Sequence, residues 1–409
     1  MRLQLILIFS IQLLGISLNG QSLDTQSSEV SRGTKVENYT IGSAVDVNFM
    51  FGYYDQDGNH SAVTGGIGTE SLTDRDLRFI INIPLDSVQQ LNVNGAVNYY
   101  SSASTDNIDT KVSSASSADV RSQFQFIYTR LNPKRRSSYS LGWGGSVESD
   151  YISTSFNASW NQISLNGNSQ LNIGGQVFFD NWVLIIPEEL RNPGTKLPDT
   201  DRRRSYSLSV NYLQVLNKRM QLNLAGELVY QRGLLSTPFH RVYFREQDTA
   251  KIELLPENRF KTPISVRLNY FLTDHLVLRT FARYYRDNFG IDAVSASIET
   301  RIKPGTFFTL YPFYRYHFQT SAAYFAPYKQ HSLTDEYYTS DYDLSRFESH
   351  SFGAGFHWSP LYGIGRFRFF NKKKPVIFNS IDVRYTHYRR NDGLRANQLG
   401  FDFGFSRLK

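Results

Sequence analysis

Short segments in which apolar and polar residues alternate one by one recur along most of this 409-residue chain. In residues 45–53 the apolar positions are Val45, Val47, Phe49, Phe51 and Tyr53, and the intervening residues are Asp46, Asn48, Met50 and Gly52. Comparable segments occur at 91–99, 121–128 and 222–230. Because successive side chains of a β-strand point to opposite faces, each segment would have one apolar and one polar face. The pattern predicts an all-β protein.

The length and the ends of these segments distinguish a membrane barrel from a soluble sandwich, which shows the same alternation. The segments run for about ten residues, which suits a tilted membrane strand better than the usual soluble strand. Aromatic residues make up 15% of the chain and crowd the segment ends, a pattern typical of the aromatic girdles at membrane interfaces. Examples are Tyr53/Tyr54, Tyr99/Tyr100, Tyr284/Tyr285 and Tyr314/Tyr316. The predicted fold is a single transmembrane antiparallel up-and-down β-barrel.

About sixteen strands can be counted, an even number as in single-chain bacterial barrels. They are predicted at 44–54, 76–84, 90–100, 119–130, 138–149, 151–161, 169–180, 204–215, 219–231, 262–271, 276–286, 292–302, 306–318, 350–359, 379–389 and 394–405. No stretch after the N-terminal segment approaches the roughly 20 apolar residues that a membrane helix needs.

The connections between these strands alternate in length. Most even-numbered connections are short, whereas five odd-numbered ones are long: 55–75, 101–118, 181–203, 232–261 and 319–349. Long extracellular loops and short periplasmic turns produce this asymmetry, which places both termini in the periplasm. One even-numbered connection, 360–378, is long and carries the basic run 371–374.

The N-terminus is typical of a secretory signal. Arg2 is followed by a short apolar core and then by small or polar residues, which predicts cleavage near Gly20 or Gln21. The predicted organisation is therefore a signal peptide at 1–20, a periplasmic segment at 21–43 and an outer-membrane barrel at 44–409. The chain has no cysteine, which excludes disulfides, thiolate metal sites and haem attachment through cysteine. The net charge of +7 is modest and does not indicate a nucleic-acid partner.

The stretch "YYDQDGNHSAVTGGIGTE" at 53–70 combines features of a calcium loop and a phosphate loop. A calcium loop that starts at Asp55 would need glycine and glutamate where the chain has His60 and Gly66. The glycines are not followed by the lysine and hydroxyl residue of a phosphate loop. The stretch is interpreted as a turn rich in residues that tolerate positive φ, and no metal site is predicted.

Histidines in the loops are the candidate parts of a catalytic site. His240 follows Ser236 and Thr237, His317 follows Arg315, and His331 precedes Asp335. No nucleophile motif accompanies them, so the chain is predicted not to be an enzyme and to have no cofactor. The acidic run that includes Glu336, Asp341 and Asp343 could bind cations, but it is interpreted as a loop folded onto itself or into the barrel.

Charged residues on the polar faces of the later strands are the strongest functional signal. The residues predicted to line the lumen are Arg267, Arg279, Arg283, Glu299, Arg301, Arg315, Asp382 and Arg384. In one interpretation they form a paired ladder that fills and stiffens the interior, because a buried charge needs a partner. In the other they form an electropositive wall that attracts anions.

Four stretches of the chain resemble a family of Gram-negative outer-membrane proteins described only as a domain of unknown function. They are "YYDQDGNHSAVTGGIGTESLTD", "YYSSASTDNID", "LLSTPFHRVYF" and "YFAPYKQHSLTDEYYTSDYDLS". The resemblance covers roughly 40–405 and implies a redox-linked envelope context, with a flavin transferase and a small lipoprotein encoded nearby. It supplies no active-site residues.

The expected function is a porin-like channel for small polar or anionic solutes in the cell outer membrane. A barrel that holds a periplasmic lipoprotein or a flavin-linked redox partner is the alternative, and a hydrolase at the barrel rim is a remote one. The expected partners are outer-membrane lipids and the barrel insertion machinery. The last strand, with Leu399, Phe401, Phe403 and Phe405, resembles the signal that this machinery reads.

Overall fold

A computed structural model describes residues 39–102, 118–184, 190, 200–368 and 375–408. Sixteen antiparallel strands form one closed barrel, which confirms the predicted fold. They are β1 Ala44–Asp57, β2 Leu72–Pro84, β3 Gln89–Ser102, β4 Ala118–Asn132, β5 Ser137–Val147, β6 Tyr151–Ile163, β7 Ser169–Val183, β8 Thr200–Asn217, β9 Met220–Gly233, β10 Asn258–Thr273, β11 Leu276–Asp287, β12 Asp292–Gly305, β13 Phe308–Leu310 with Phe313–Gln319, β14 Phe347–Trp358, β15 Val376–Arg390 and β16 Arg395–Leu408.

The barrel closes between its first and last strands. β1 pairs with β16 along its whole length, from Ala44 opposite Leu408 to Asp57 opposite Arg395. Closure gives each of the sixteen barrel strands a partner on both sides, so the backbone hydrogen bonds of the wall are made within the barrel. Among the described residues, no helix is long and apolar enough to cross a membrane.

The outer face of the barrel is apolar. Along each strand the large apolar side chains alternate with polar ones and are exposed: Leu141 is 64% exposed and Ile264 is 62% exposed. Phe51 and Phe401, which lie opposite each other on β1 and β16, belong to this outer face. An apolar exterior around a wall with no free backbone groups is the surface that a hydrocarbon layer solvates.

One barrel strand, β13, is interrupted at Pro312. The pairing register does not change across the gap, since Leu310 lies opposite Phe356 and Phe313 lies opposite Gly353. Proline has no N–H to donate, so it removes one bond from the ladder. The neighbouring Tyr311 keeps both backbone bonds to Gly355, at 2.9 and 3.2 Å.

The connection between β14 and β15 contains a short strand, Gly365–Phe367, which pairs with the start of β15. The first residues of β15 extend past the end of β14, and this short strand pairs with them instead. The extra strand accounts for the length of the connection. The basic run 371–374, the predicted signal peptide and most of the predicted periplasmic segment lie outside the described residues.

Three long connections at one end of the barrel pack together. We call the segments 58–71, 234–257 and 320–346 the loop cap, and we call this end of the barrel the loop end. The cap contains a two-strand ladder, Arg241–Val242 with Lys251–Ile252, and two 3-10 turns, Ala62–Thr64 and Tyr342–Leu344. Its side chains include some of the most buried in the described chain: Ser61, Val242, Phe244 and Thr339 are each 0% exposed.

Candidate functional site

All eight residues predicted to line the lumen lie on strands β10, β11, β12, β13 and β15. Their side chains are all on the same face of the sheet as those of the residues paired with them, as shown by Arg279 opposite Glu299 and Arg315 opposite Ser297. The exposed apolar residues of these strands, such as Ile298 and Tyr314, have their side chains on the opposite face. In a closed barrel one face of the sheet is the outer surface and the other is the inner surface. Because the apolar face is the outer one, the predicted group points to the interior.

Glu299 is shared by two arginines of the group. Its Oε1 lies 3.7 Å from Arg279 Nη1 and 2.9 Å from Arg301 Nε. One carboxylate cannot neutralise two guanidinium groups, so this part of the wall keeps a positive charge.

Aromatic rings and a histidine provide other contacts for the group. The guanidinium of Arg384 lies 4.1 Å from the centroid of the Phe313 ring, and that of Arg267 lies 5.5 Å from the centroid of Phe281. Asp382 accepts a hydrogen bond from the Tyr311 hydroxyl and lies 3.2 Å from His357 Nδ1. These contacts hold the arginine side chains along the wall without cancelling their charge.

Arg283 and Arg315 lie nearer the loop end of the same wall. Arg283 has the carboxylate of Glu227 on β9 as an electrostatic neighbour, but within the part of the chain that the structure describes neither arginine has a carboxylate oxygen within 4.0 Å. The six arginines of the predicted group therefore outnumber its two carboxylates, Glu299 and Asp382. The group is not fully paired along its length.

The inward faces of β3 to β8 are mostly neutral. Examples of their amide and hydroxyl side chains are Asn94, Gln125, Asn157, Gln176, Ser207 and Asn211. Some bond to one another across strands, as Asn94 Nδ2 does to Gln125 Oε1 at 3.3 Å. The interior therefore has a basic arc that faces a neutral, hydrogen-bonding arc.

A buried polar cluster lies in the loop cap and includes none of the residues predicted to line the lumen. His240 Nδ1 is 3.4 Å from Glu253 Oε1 and 4.0 Å from Asp341 Oδ2, and all three side chains are buried. Burial lowers the pKa of His240, which favours the neutral imidazole. Burial, together with repulsion from Asp343, raises the pKa of Asp341 to about 8.

Arg390 attaches the loop cap to the barrel wall. This residue ends β15, and its Nη1 lies 2.6 Å from Asp343 Oδ1 in the cap. Its Nη2 lies 2.5 Å from Asp392 Oδ2 and donates to the carbonyl oxygen of Tyr342 at 2.8 Å. The guanidinium also lies 3.9 Å from the centroid of the Phe347 ring. The cap is thus joined to the end of β15 by a buried cation whose two terminal nitrogens both form ion pairs.

The stretch 53–70 is divided between a strand and a turn. Asp55 and Asp57 belong to β1, where they lie opposite Thr73 and Arg395, so they do not form the start of a loop. Three glycines at 65, 66 and 68 have φ between 82° and 87°, which agrees with the interpretation as a turn. A Cβ on Gly66 would lie 2.8 Å from the carbonyl oxygen of Ser340, so this turn packs closely on the third cap segment.

Nothing in the sequence indicates that His240 lies beside Glu253 and Asp341. No spacing pattern links His240 to Asp341, because the two residues come from different cap segments and meet only when those segments pack. His331 does contact its sequence neighbour Asp335, at 3.0 Å, and His317 Nδ1 contacts Ser295 Oγ at 2.7 Å inside the barrel. The acidic run is a folded loop, as its interpretation proposed: Asp341 caps the turn Tyr342–Leu344.

Together these features define a transmembrane β-barrel with a partly basic interior and a packed set of loops at one end. The chain belongs to the family described as Protein of unknown function (DUF3570), whose model matches residues 10–361. The predicted membership of an uncharacterised barrel family is confirmed. A comparison with curated proteins finds no match.

Solved structures with similar folds are outer-membrane proteins of several kinds. A bacterial polysaccharide outer membrane secretin is 9% identical with a TM-score of 0.46, covering 90% of this chain and 98% of that chain. The siderophore receptor PirA from Acinetobacter baumannii is 13% identical with a TM-score of 0.44, covering 87% and 54%. OccK1 (OpdK) from Pseudomonas aeruginosa is 9% identical with a TM-score of 0.38, covering 89% and 98%.

Proposed function

We propose that the protein is an outer-membrane channel for small polar or anionic solutes. The observation that carries this proposal is the basic arc on the inner wall, where six arginines outnumber the nearby carboxylates Glu227, Glu299, Asp382 and Asp402. Fixed cations along a pore attract anions and repel cations, and low-dielectric walls strengthen the effect. The facing amide and hydroxyl side chains offer donors and acceptors to the uncharged part of a solute.

Water access to the arginines supports a pore rather than a solid core. The side chains of Arg279 and Arg301 each remain 29% exposed although they point into the barrel, and Asp382 remains 30% exposed. A ladder that only filled the interior would exclude water from its charged members, as the buried pair Arg259–Asp287 does at the loop end. The wet part of the wall lies toward the turn end of the barrel.

The loop cap limits the size of the solute in this proposal. Its segments are packed against each other at the loop end, so entry there would pass beside or between them. The short turns would face the periplasm and the cap the outside, with outer-membrane lipids on the apolar surface and the insertion machinery as the assembly partner.

A scaffold is the second candidate, and the same cap favours it. If the cap closes the loop end entirely, the water-accessible part of the interior at the turn end becomes a vestibule that is open only to the periplasm. A periplasmic lipoprotein or a flavin-linked redox partner could then dock there. Neither candidate assigns a catalytic step to the protein.

Ion conductance of purified protein in a planar bilayer tests the channel. We expect single-channel steps and a reversal potential in a KCl gradient that shows anion preference. The double variant Arg279→Gln, Arg283→Gln should lower the anion-to-cation permeability ratio, most visibly at low salt. Arg286→Gln is the matched control, because this arginine is on the same strand, faces outward and is 68% exposed.

Folded wild-type protein without conductance would reject the channel in favour of the scaffold. Conductance with unchanged selectivity in the double variant would retain the pore and show that the arginines are a structural ladder.

A further inference from the structure

The buried cluster of His240, Glu253 and Asp341 has the composition of a metal site. Each residue offers one ligand atom, and the three atoms lie within 4.8 Å of one another. His240 and Glu253 come from the second cap segment, and Asp341 comes from the third. The exposed fractions are 1%, 2% and 6% in that order, so water cannot readily solvate these groups.

Other bonds fix both carboxylates in place. Glu253 accepts hydrogen bonds from the backbone N–H of Thr237 at 2.7 Å and from the Thr339 hydroxyl at 2.5 Å. Asp341 Oδ1 accepts from the N–H of Asp343 at 2.9 Å, which leaves its Oδ2 directed toward the histidine. Outer hydrogen bonds of this kind orient the ligands of metal centres.

The cluster lacks a cation of its own within the described residues. No lysine or arginine forms an ion pair with Glu253 or Asp341 there. His240 Nε2 is also buried without a hydrogen-bond partner. A neutral imidazole has one proton: placed on Nδ1 it leaves Nε2 a buried acceptor with no donor, and placed on Nε2 it leaves Nδ1 facing two carboxylates with no proton between them. The Glu253 carboxylate, which is 2% exposed and has no lysine or arginine beside it, is costly to bury without a counter-charge, and a bound cation removes that cost.

We propose that His240 Nδ1, Glu253 and Asp341 bind a divalent transition-metal cation, for which Zn²⁺ is the best match, and that this ion clamps the second cap segment to the third. Imidazole nitrogen and carboxylate oxygen are ordinary Zn²⁺ ligands, with bonds of about 2.0–2.2 Å. Ligand atoms now 3.4 and 4.0 Å from Nδ1 need only small movements to reach one ion. Calcium is a poorer match because it takes about six to eight oxygen ligands.

Zn²⁺ binding to chelator-treated, folded protein tests the site. We expect the wild type to retain about one Zn²⁺ per chain after gel filtration, with Ca²⁺ giving no such retention. Bound Zn²⁺ should also slow proteolysis within 234–257. Asp341→Asn, which nearly preserves shape, should weaken Zn²⁺ binding by at least about tenfold, as should His240→Gln.

Asp335→Asn is the matched control. This carboxylate lies in the same cap segment as Asp341 and also contacts a histidine, His331, but it is 40% exposed. Among the described residues it belongs to no cluster of three possible metal ligands. Its replacement should leave Zn²⁺ binding unchanged. Absence of binding in the wild type, or equal binding by the wild type and Asp341→Asn, would overturn the site. An equal loss in Asp335→Asn and Asp341→Asn would do the same. The outcome is independent of conductance, so the channel proposal can stand or fall separately.

Discussion

At the scale of single residues, the loop cap depends on a few buried charges whose partners are close to complete. Arg390 is the central one, since its side chain is 3% exposed and contacts two carboxylates, a carbonyl and an aromatic ring. Removal of one partner from such a group leaves the other charges buried and unpaired.

Arg390→Gln should therefore loosen the cap without opening the barrel. We expect a loss of about 3–5 kcal/mol in the free energy that holds the cap in place. Hydrogen exchange would show this as faster exchange of amides in 320–346, with the amides of the barrel strands unaffected. Arg389→Gln, at the exposed neighbouring position, should change neither. Slow exchange in 320–346 of the Arg390→Gln protein would contradict the anchoring role.

Glu70 makes the cap sensitive to pH. Burial, with repulsion from Asp343, raises the pKa of this carboxyl from 4.5 to about 9. The folded protein then holds a proton that the unfolded chain has already released, so the cap loses stability as the pH rises from 4.5 toward 9.

We expect proteolysis of 58–71 to be faster at pH 9 than at pH 6, and Glu70→Gln to reduce this difference, with Asp341, whose pKa is also raised, contributing the remainder. The exposed Glu336→Gln should retain it. Proteolysis of the Glu70→Gln protein with the pH dependence of the wild type would show that another group is responsible.

At the scale of elements, the interrupted strand β13 brings an aromatic ring into the lumen. Tyr311 is 4% exposed, and its ring lies over Gly355 of β14, where a Cβ would come within 2.0 Å of it. The same ring lies 5.3 Å from the Arg301 guanidinium and bonds to Asp382 through its hydroxyl. The glycine thus allows the close approach that positions this part of the wall.

Gly355→Ala should displace Tyr311 and lower stability by about 1–3 kcal/mol through overpacking. Urea unfolding followed by tryptophan fluorescence would measure the change. Gly400→Ala is the control, because this inward glycine of β16 has nothing within 4 Å of its Cβ position. Equal stability of the two variants would mean that the ring moves at no cost.

At the scale of the whole molecule, the fold predicts which end of the barrel faces outside. All three cap segments lie at one end, and the short turns lie at the other, which is the arrangement of barrels inserted from the periplasm. The absence of cysteine from the chain makes single-cysteine labelling unambiguous.

On intact cells, a membrane-impermeant maleimide should label Thr334→Cys in the cap and should not label Lys218→Cys in the turn after β8. Both positions are exposed, so accessibility to the reagent differs only by the side of the membrane. Labelling of Lys218→Cys alone would invert the topology. Labelling of both positions in lysed cells controls for reactivity.

The strands were predictable from the sequence because their signal is local. Alternation places every other residue on one face, and an apolar exterior requires this alternation in each strand independently. All sixteen strands were predicted, and the first predicted strand begins at Ala44 as observed. The boundaries at the loop end were placed too early or too late, as at Thr200, where β8 begins four residues before its predicted start. The strands continue beyond the membrane there, and their residues still form backbone hydrogen bonds. Because no apolar outer face is required outside the membrane, the alternation that marks a strand in the sequence is lost.

The tertiary structure decided what the loops do. The alternation in the sequence already places the arginines on the inner face of the barrel. The sharing of Glu299 by Arg279 and Arg301, however, depends on the register of β11 with β12. The meeting of His240 with Asp341 depends on the packing of two segments about a hundred residues apart. The contact of Arg390 with Asp343 joins residues that are 47 positions apart in the sequence. Strand alternation is imposed on each residue separately by what surrounds the barrel wall, whereas the loop contacts join side chains that are distant in the sequence and that only the complete fold brings together.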